Sequence, residues 1–149
     1  MERINLTNEK KRPHFIGSWK IKNYELCNEI INFFDENKTL QKTGVLGSGR
    51  DLTKKKTIDM TVKPSDLKDY KYKCFNSYID ELYKCFVDYQ HQWPFIRSFI
   101  KDVDIGSFNV QKYSKGDHFS QIHTERSSME NSNRLFAWMT YLNNVEDGG

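Results

Sequence analysis

Up to His91 the apolar residues of this chain recur every third or fourth position, and beyond Gly106 they recur every second. That change of period constrains the fold more than any other feature, because a step near 3.6 builds helices and a step of two builds strands. Leu67, Tyr70, Cys74, Tyr78, Leu82, Cys85 and Tyr89 keep the helical step from Ser65 to His91, and Trp93-Pro94 ends it. Leu26, Ile30, Phe33 and Phe34 keep it earlier, behind Asn23 in the capping position. Two short strands stand among these helices: "HFIGSW", and "TIDMTV" with Ile58, Met60 and Val62 alternating against Asp59 and Thr61. Residues 41–57, rich in Gly, Lys and Thr, read as an exposed loop.

After Gly106 come three strand candidates, "GSFNVQKY", "DHFSQIHTE" and "RLFAWMTYLNNV", separated by "SKG" and "RSSMENSN". The third is apolar on both faces, with Phe136, Trp138 and Leu142 on one and Leu135, Ala137, Met139 and Tyr141 on the other. Such a strand belongs between two layers. Helices first and antiparallel strands afterwards make an α+β architecture.

At 149 residues the chain fits a single domain, and 37% apolar residues with 14% aromatics supply a core. A net charge of +3 gives no strong nucleic-acid signal. No run approaches the roughly 20 apolar residues of a membrane span, and the first fifteen residues lack a signal peptide's apolar stretch. The odd set Cys27, Cys74 and Cys85 has no metal-ligand spacing. Cys74 and Cys85 share a helix face about 16 Å apart, too far to bridge, so reduced thiols and a cytoplasmic location are expected.

The chemistry concentrates in residues 113–126, "YSKGDHFSQIHTER". On a strand His123 and Glu125 point the same way, offering a nitrogen and a carboxylate to one metal ion. Imidazole with carboxylate suits a borderline divalent metal, and two histidines with one carboxylate form the facial triad of non-haem Fe(II) oxygenases. Taken alone, His-x-Glu is also what a solvated strand end with a surface ion pair looks like.

The order Tyr113, Gly116, His123, Glu125, a two-sided apolar strand ending Tyr141-Leu142-Asn143, then Gly148-Gly149 resembles the Fe(II)/2-oxoglutarate-dependent oxygenases, specifically the prolyl-4-hydroxylase-like group. The resemblance covers residues 106–149 and extends less specifically to the helices before them. It implies helical support over residues 1–100 and an incomplete double-stranded β-helix, half of a jelly roll, over 101–149. It makes His123 and Glu125 iron ligands, sets Tyr113 to donate to a 2-oxoglutarate carboxylate, and places Tyr141 in the same pocket. Asn109 and Gln111, on one face with Tyr113, become pocket-wall candidates. The cofactors implied are Fe(II) and 2-oxoglutarate, with ascorbate as a candidate reductant. The reaction implied is hydroxylation of a C–H bond in a peptidyl prolyl or similar substrate, peptide or small molecule.

Two departures qualify the pattern. The family's usual carboxylate is Asp, whereas Glu125 stands here; Arg126 beside it points the other way on a regular strand. The family's distal histidine and its Lys or Arg follow the Gly-Gly, so the expectation is a chain truncated before them, with unpaired strands inviting self-association. Two competing readings remain: a non-catalytic interaction module, and a cupin-type metal protein using His118, His123 and Glu125. The latter requires a bulge, because His118 lies on the opposite face from His123. His14 and His91 read as solvated or capping residues, and Lys54–Lys56 as a solvated run, with steering of an acidic substrate the lesser alternative.

Overall fold

The structure, a computed structural model, describes residues 1–6, 14–100 and 102–145. Among them are two α-helices and three small antiparallel sheets, an α+β architecture as the two periods require. The Gly148-Gly149 element lies outside the described residues. The chain divides into two compact units, Met1–Asn32 with Lys63–Ser107, and Phe33–Val62 with Phe108–Gly149.

In the first unit, strand β1 (Glu2–Arg3) pairs antiparallel with β2 (Trp19–Lys20), which meets the expected strand "HFIGSW" only at its last residue. Helix α1 (Tyr24–Glu36) starts where Asn23 places its side-chain oxygen to accept the Leu26 N–H at 3.1 Å. Helix α2 runs Lys73–Gln92, beginning later than the periodicity predicts. The residues before it form two 3-10 turns, Asp66–Lys68 and Tyr70–Tyr72. Asp66 accepts the Lys63 N–H and Asp69 the Lys71 N–H, each at 2.9 Å. Such local bonds give the backbone an alternative to the α-helical ladder. Trp93 closes α2, and Pro94–Ser98 continues as a 3-10 turn.

Leu26, Cys27 and Ile30 of α1, Cys74, Phe75, Tyr78 and Cys85 of α2, and Ile96 are all buried in this unit. Asp88 ties the small sheet to α2 by accepting from Arg3 Nε at 2.8 Å and Trp19 Nε1 at 2.7 Å. The Trp19 hydrogen bond, with Arg3 beside it, holds the Asp88 carboxyl below its usual range. The three thiols are free, and burial pushes that of Cys85 up to about 11. No helix among the described residues is long and apolar enough to cross a membrane.

The second unit holds the last turn of α1, with Phe33 and Phe34 buried, and five short strands. These are β3 (Gln41–Thr43), β4 (Lys55–Lys56), β5 (Ile58–Val62), β6 (Phe108–Lys112) and β7 (His118–Phe119). Strand β5 lies between β3 and β6, and β4 pairs separately with β7. Met60 and Val62 are fully buried on β5, while Ile58 at its end is 40% exposed.

Residues 41–57 are therefore not simply an exposed loop. They contribute β3 and β4 around a tight turn in which Leu46 and Gly49 exchange backbone hydrogen bonds of 2.9 and 3.0 Å. Gly49, at φ 111°, takes the left-handed conformation that the turn needs. Composition concealed these strands because Lys55 and Thr57, polar by type, are buried here.

Two other strand expectations also change. In "DHFSQIHTE" only His118 and Phe119 pair, and in "RLFAWMTYLNNV" no residue among those described joins a ladder. The cover expected on both faces of the latter is absent too: Phe136 and Leu142 are half-buried, while Leu135, Trp138, Met139 and Tyr141 are exposed. Alternation states which side should be covered, but a strand also needs a neighbour to accept its backbone hydrogen bonds.

Candidate functional site

The polar face of the β5–β6 pair is where the second unit begins to look like a site. The register sets Asp59 opposite Gln111 and Thr61 opposite Asn109. Opposed residues in an antiparallel pair lie on one face, and both pairs bond. Thr61 Oγ1 donates to Asn109 Oδ1 at 2.8 Å, and Gln111 Nε2 donates to Asp59 Oδ1 at 3.1 Å. Tyr113, the next residue on that face, donates its hydroxyl to Gln111 Oε1 at 3.4 Å. Burial, followed by the charges of Asp59 and Tyr141, raises the Tyr113 phenol above its usual range. Tyr141 is close enough to be felt. Asn109, Gln111, Tyr113 and Tyr141 thus occupy one neighbourhood, although Tyr141 itself is largely exposed.

The His-x-Glu pair lies just after β7. His123 Nε2 is 3.3 Å from Glu125 Oε1, while His123 Nδ1 is 3.1 Å from the Gln121 carbonyl oxygen. A ring N–H at Nδ1 donating to that carbonyl leaves the Nε2 lone pair facing the carboxylate. The same 3.3 Å separation suits either a hydrogen bond from Nε2–H in the other tautomer or two ligands of one metal ion. The other carboxylate oxygen, Glu125 Oε2, accepts from Arg134 Nη1 at 3.0 Å. Arg126, by contrast, donates its Nε to the Ser132 carbonyl at 2.9 Å rather than to Glu125.

The donor types fit two protein positions of a non-haem iron centre: one imidazole and one carboxylate on a common side. Among the described residues no three His, Cys, Asp or Glu side chains converge on one point. His118 is turned elsewhere, its Nε2 donating to the Thr53 carbonyl at 3.1 Å. His91 lies 3.2 Å from Arg97 Nη2 through its own Nε2, and His14 accepts the Ile16 N–H at 3.1 Å.

A cavity of about 540 Å³ opens beside the pair, lined by Val45, Leu46, Lys54, Lys55, Phe119 and His123 among others. The lysines around it are all committed. Lys54 pairs with Asp51 at 3.5 Å, Lys55 with Asp59 at 2.7 Å and Lys56 with Asp117 at 2.9 Å. Lys54 and Lys56 remain half-exposed, as a solvated run should be, and only Lys55 is buried.

Compared with models of known families, with curated proteins and with solved structures, the chain gives no match. What can be said of its chemistry comes from the geometry.

Four residues of this region escape a reading of the sequence alone: Lys55, Asp59, Phe119 and Arg134. Asp59 accepts from Lys55 Nζ at 2.7 Å on one oxygen and from Thr57 Oγ1 at 2.7 Å and Gln111 Nε2 on the other. The side chains of Lys55 and Asp59 are only 7% and 12% exposed. Gly44 packs onto this cluster so closely that a β-carbon there would overlap the Thr57 hydroxyl and come within 2.9 Å of Lys55 Cε. The one available signal was that Asp59 lies on the polar side of a strand whose opposite side is fully apolar. Nothing in "TKKKT" marks its middle lysine as buried.

Proposed function

We propose that this chain carries part of the active centre of an Fe(II)- and 2-oxoglutarate-dependent oxygenase of the prolyl-4-hydroxylase-like group. On this reading the strands of the second unit are part of a double-stranded β-helix. The observation that carries it is the His123–Glu125 pair, with imidazole Nε2 and carboxylate 3.3 Å apart and Nδ1 fixed on a backbone carbonyl. Iron would be held by His123 Nε2 and Glu125 Oε1, and with 2-oxoglutarate it supplies the oxidising power that hydroxylates an unactivated C–H bond. Arg134 orients the carboxylate by holding its second oxygen. Tyr113 would turn its hydroxyl from the long 3.4 Å bond to Gln111 onto a 2-oxoglutarate carboxylate, with Tyr141 beside it. Asn109 and Gln111 line the wall that holds Tyr113 in place. The open cavity at His123 gives a peptidyl prolyl or similar side chain its approach.

A second reading, a non-catalytic interaction module, draws on the Glu125–Arg134 bridge, which by itself accounts for the carboxylate as one member of a surface ion pair.

An anaerobic titration of the chain with Fe(II) and 2-oxoglutarate separates the two readings. Added imidazole takes the place of a third nitrogen ligand, and the visible iron-to-cosubstrate charge-transfer band is followed. The oxygenase reading expects the band in the unaltered chain, its loss in His123→Ala and Glu125→Ala, and about tenfold weaker 2-oxoglutarate binding in Tyr113→Phe. No band in the unaltered chain, or one indifferent to Glu125→Ala, sinks it in favour of the interaction module.

A further inference from the structure

The His123 ring sits in a stretch of backbone that does little to hold it. Residues 120–127 include no paired strand, and the His123 side chain is 48% exposed. The terminal torsion of a histidine is soft, with broad wells, so two polar contacts at its edge leave the ring plane free to rock. A flat neighbour restrains that motion, and Phe119 is such a neighbour: its centroid is 4.7 Å from that of His123, with the planes inclined by 21°.

Phe119 is itself held. Its backbone is in β7, opposite Lys55 of β4, and the next residue, Ser120, donates its N–H to the Lys54 carbonyl at 2.9 Å. Its ring has the Lys55 ammonium 5.3 Å from its centroid, within the range of a cation–π attraction. Lys55 is held in turn by Asp59, whose oxygens are also occupied by Thr57 and Gln111. The whole chain of contacts lies within the second unit.

Burying the Lys55–Asp59 pair is a poor route to stability, because desolvation of both charges offsets most of their attraction. What a buried pair with a well-bonded carboxylate does provide is a fixed position for an ammonium group. That position is above the ring that stacks on the candidate ligand.

We propose that Lys55 is a positioning residue for His123, fixing the plane of the imidazole through Phe119 with Asp59 as its anchor. The proposal rests on the reading of His123 as a metal ligand, and it gives a function to a charge that the site described above leaves unused. Asp59 serves both sides of the site, since Gln111 links the same carboxylate to Tyr113.

The test uses the full chain with isotope-labelled histidine, following the ring protons of His123 by NMR after assignment with His123→Gln. Stacking on Phe119 shifts those protons by ring current, which a general structural role of Lys55 would not produce. Phe119→Leu, which leaves the Lys55–Asp59 pair intact, should abolish the shift. Lys55→Met should reduce it, and Lys55→Arg should retain it, with backbone amide spectra confirming that each variant is folded. Co(II) titration of the same proteins should show about 10- to 100-fold weaker binding in Lys55→Met and near-native binding in Lys55→Arg. His123 resonances unmoved in folded Phe119→Leu or Lys55→Met overturn the proposal, as does unchanged Co(II) affinity in Lys55→Met. If the unaltered chain binds no Co(II), the metal reading fails, and the ring shifts still decide whether Lys55 sets the imidazole.

Discussion

Helix α2 and residues 134–145 are both rich in aromatic and aliphatic side chains, yet they end in opposite circumstances. The helix buries Cys74, Phe75, Tyr78 and Cys85, whereas the later segment leaves Leu135, Met139, Tyr141 and Val145 open. The helix satisfies its own backbone through bonds four residues apart, so an apolar stripe is all it requires of its surroundings. An extended segment must find a neighbouring strand before its side chains can be covered. Among the described residues, 134–145 has side-chain contacts, such as Trp138 on Phe108 at 6.1 Å, and no ladder.

The sharpest way to break this comparison is to truncate one side chain in each region. Phe75→Ala, at a position 1% exposed, should cost about 3–5 kcal/mol in denaturant unfolding. Met139→Ala, at a position 76% exposed, should stay within about 0.5 kcal/mol. A large loss at Met139 would mean that this face is covered in solution.

A smaller effect is expected where the second unit is tightly packed. Gly44→Ala forces a methyl group into the Lys55–Thr57–Asp59 cluster and should cost about 1–3 kcal/mol of unfolding free energy, with no comparable penalty for Gly47→Ala, which meets open space.

The smallest effect belongs to Asp88. Its carboxyl titrates below the ordinary value of 3.8 in the folded chain, so its contribution is present above that pH and lost as pH falls through the depressed folded value. Asp88 is 45% exposed, and solvent screening reduces the contribution to roughly a few tenths of a kcal/mol. Asp88→Asn should therefore lower stability slightly at neutral pH and flatten its fall below about pH 4, as read from unfolding curves across that range.

The same contrast explains what the sequence made legible. The helices could be read because their signals are local: Asn23 caps α1 as its position suggests, and Trp93-Pro94 ends α2. The late start of α2 could not, since it depends on which way Asp66 and Asp69 turn their carboxylates. On the sheet side, β5 and β6 were visible in their alternation, and the common face of Asn109, Gln111 and Tyr113 followed from it. Strand β4 was invisible, because its lysine is buried by partners far away in sequence, Phe119 among them. His123 and Glu125 do lie close, but strand alternation was not the reason, because residues 120–127 join no strand. Arg134 on the same carboxylate was not readable, as only the fold of residues 126–133 brings it back.

The distribution of cysteines has a practical consequence. Cys27, Cys74 and Cys85 are all buried and all belong to the first unit, while the second has none. A thiol reagent mixed with the native chain reaches these cysteines only when the structure around them opens, so the rate of labelling clocks opening of the first unit. The molecule thus carries a built-in stopwatch for one half of itself, which can be read without attaching a probe.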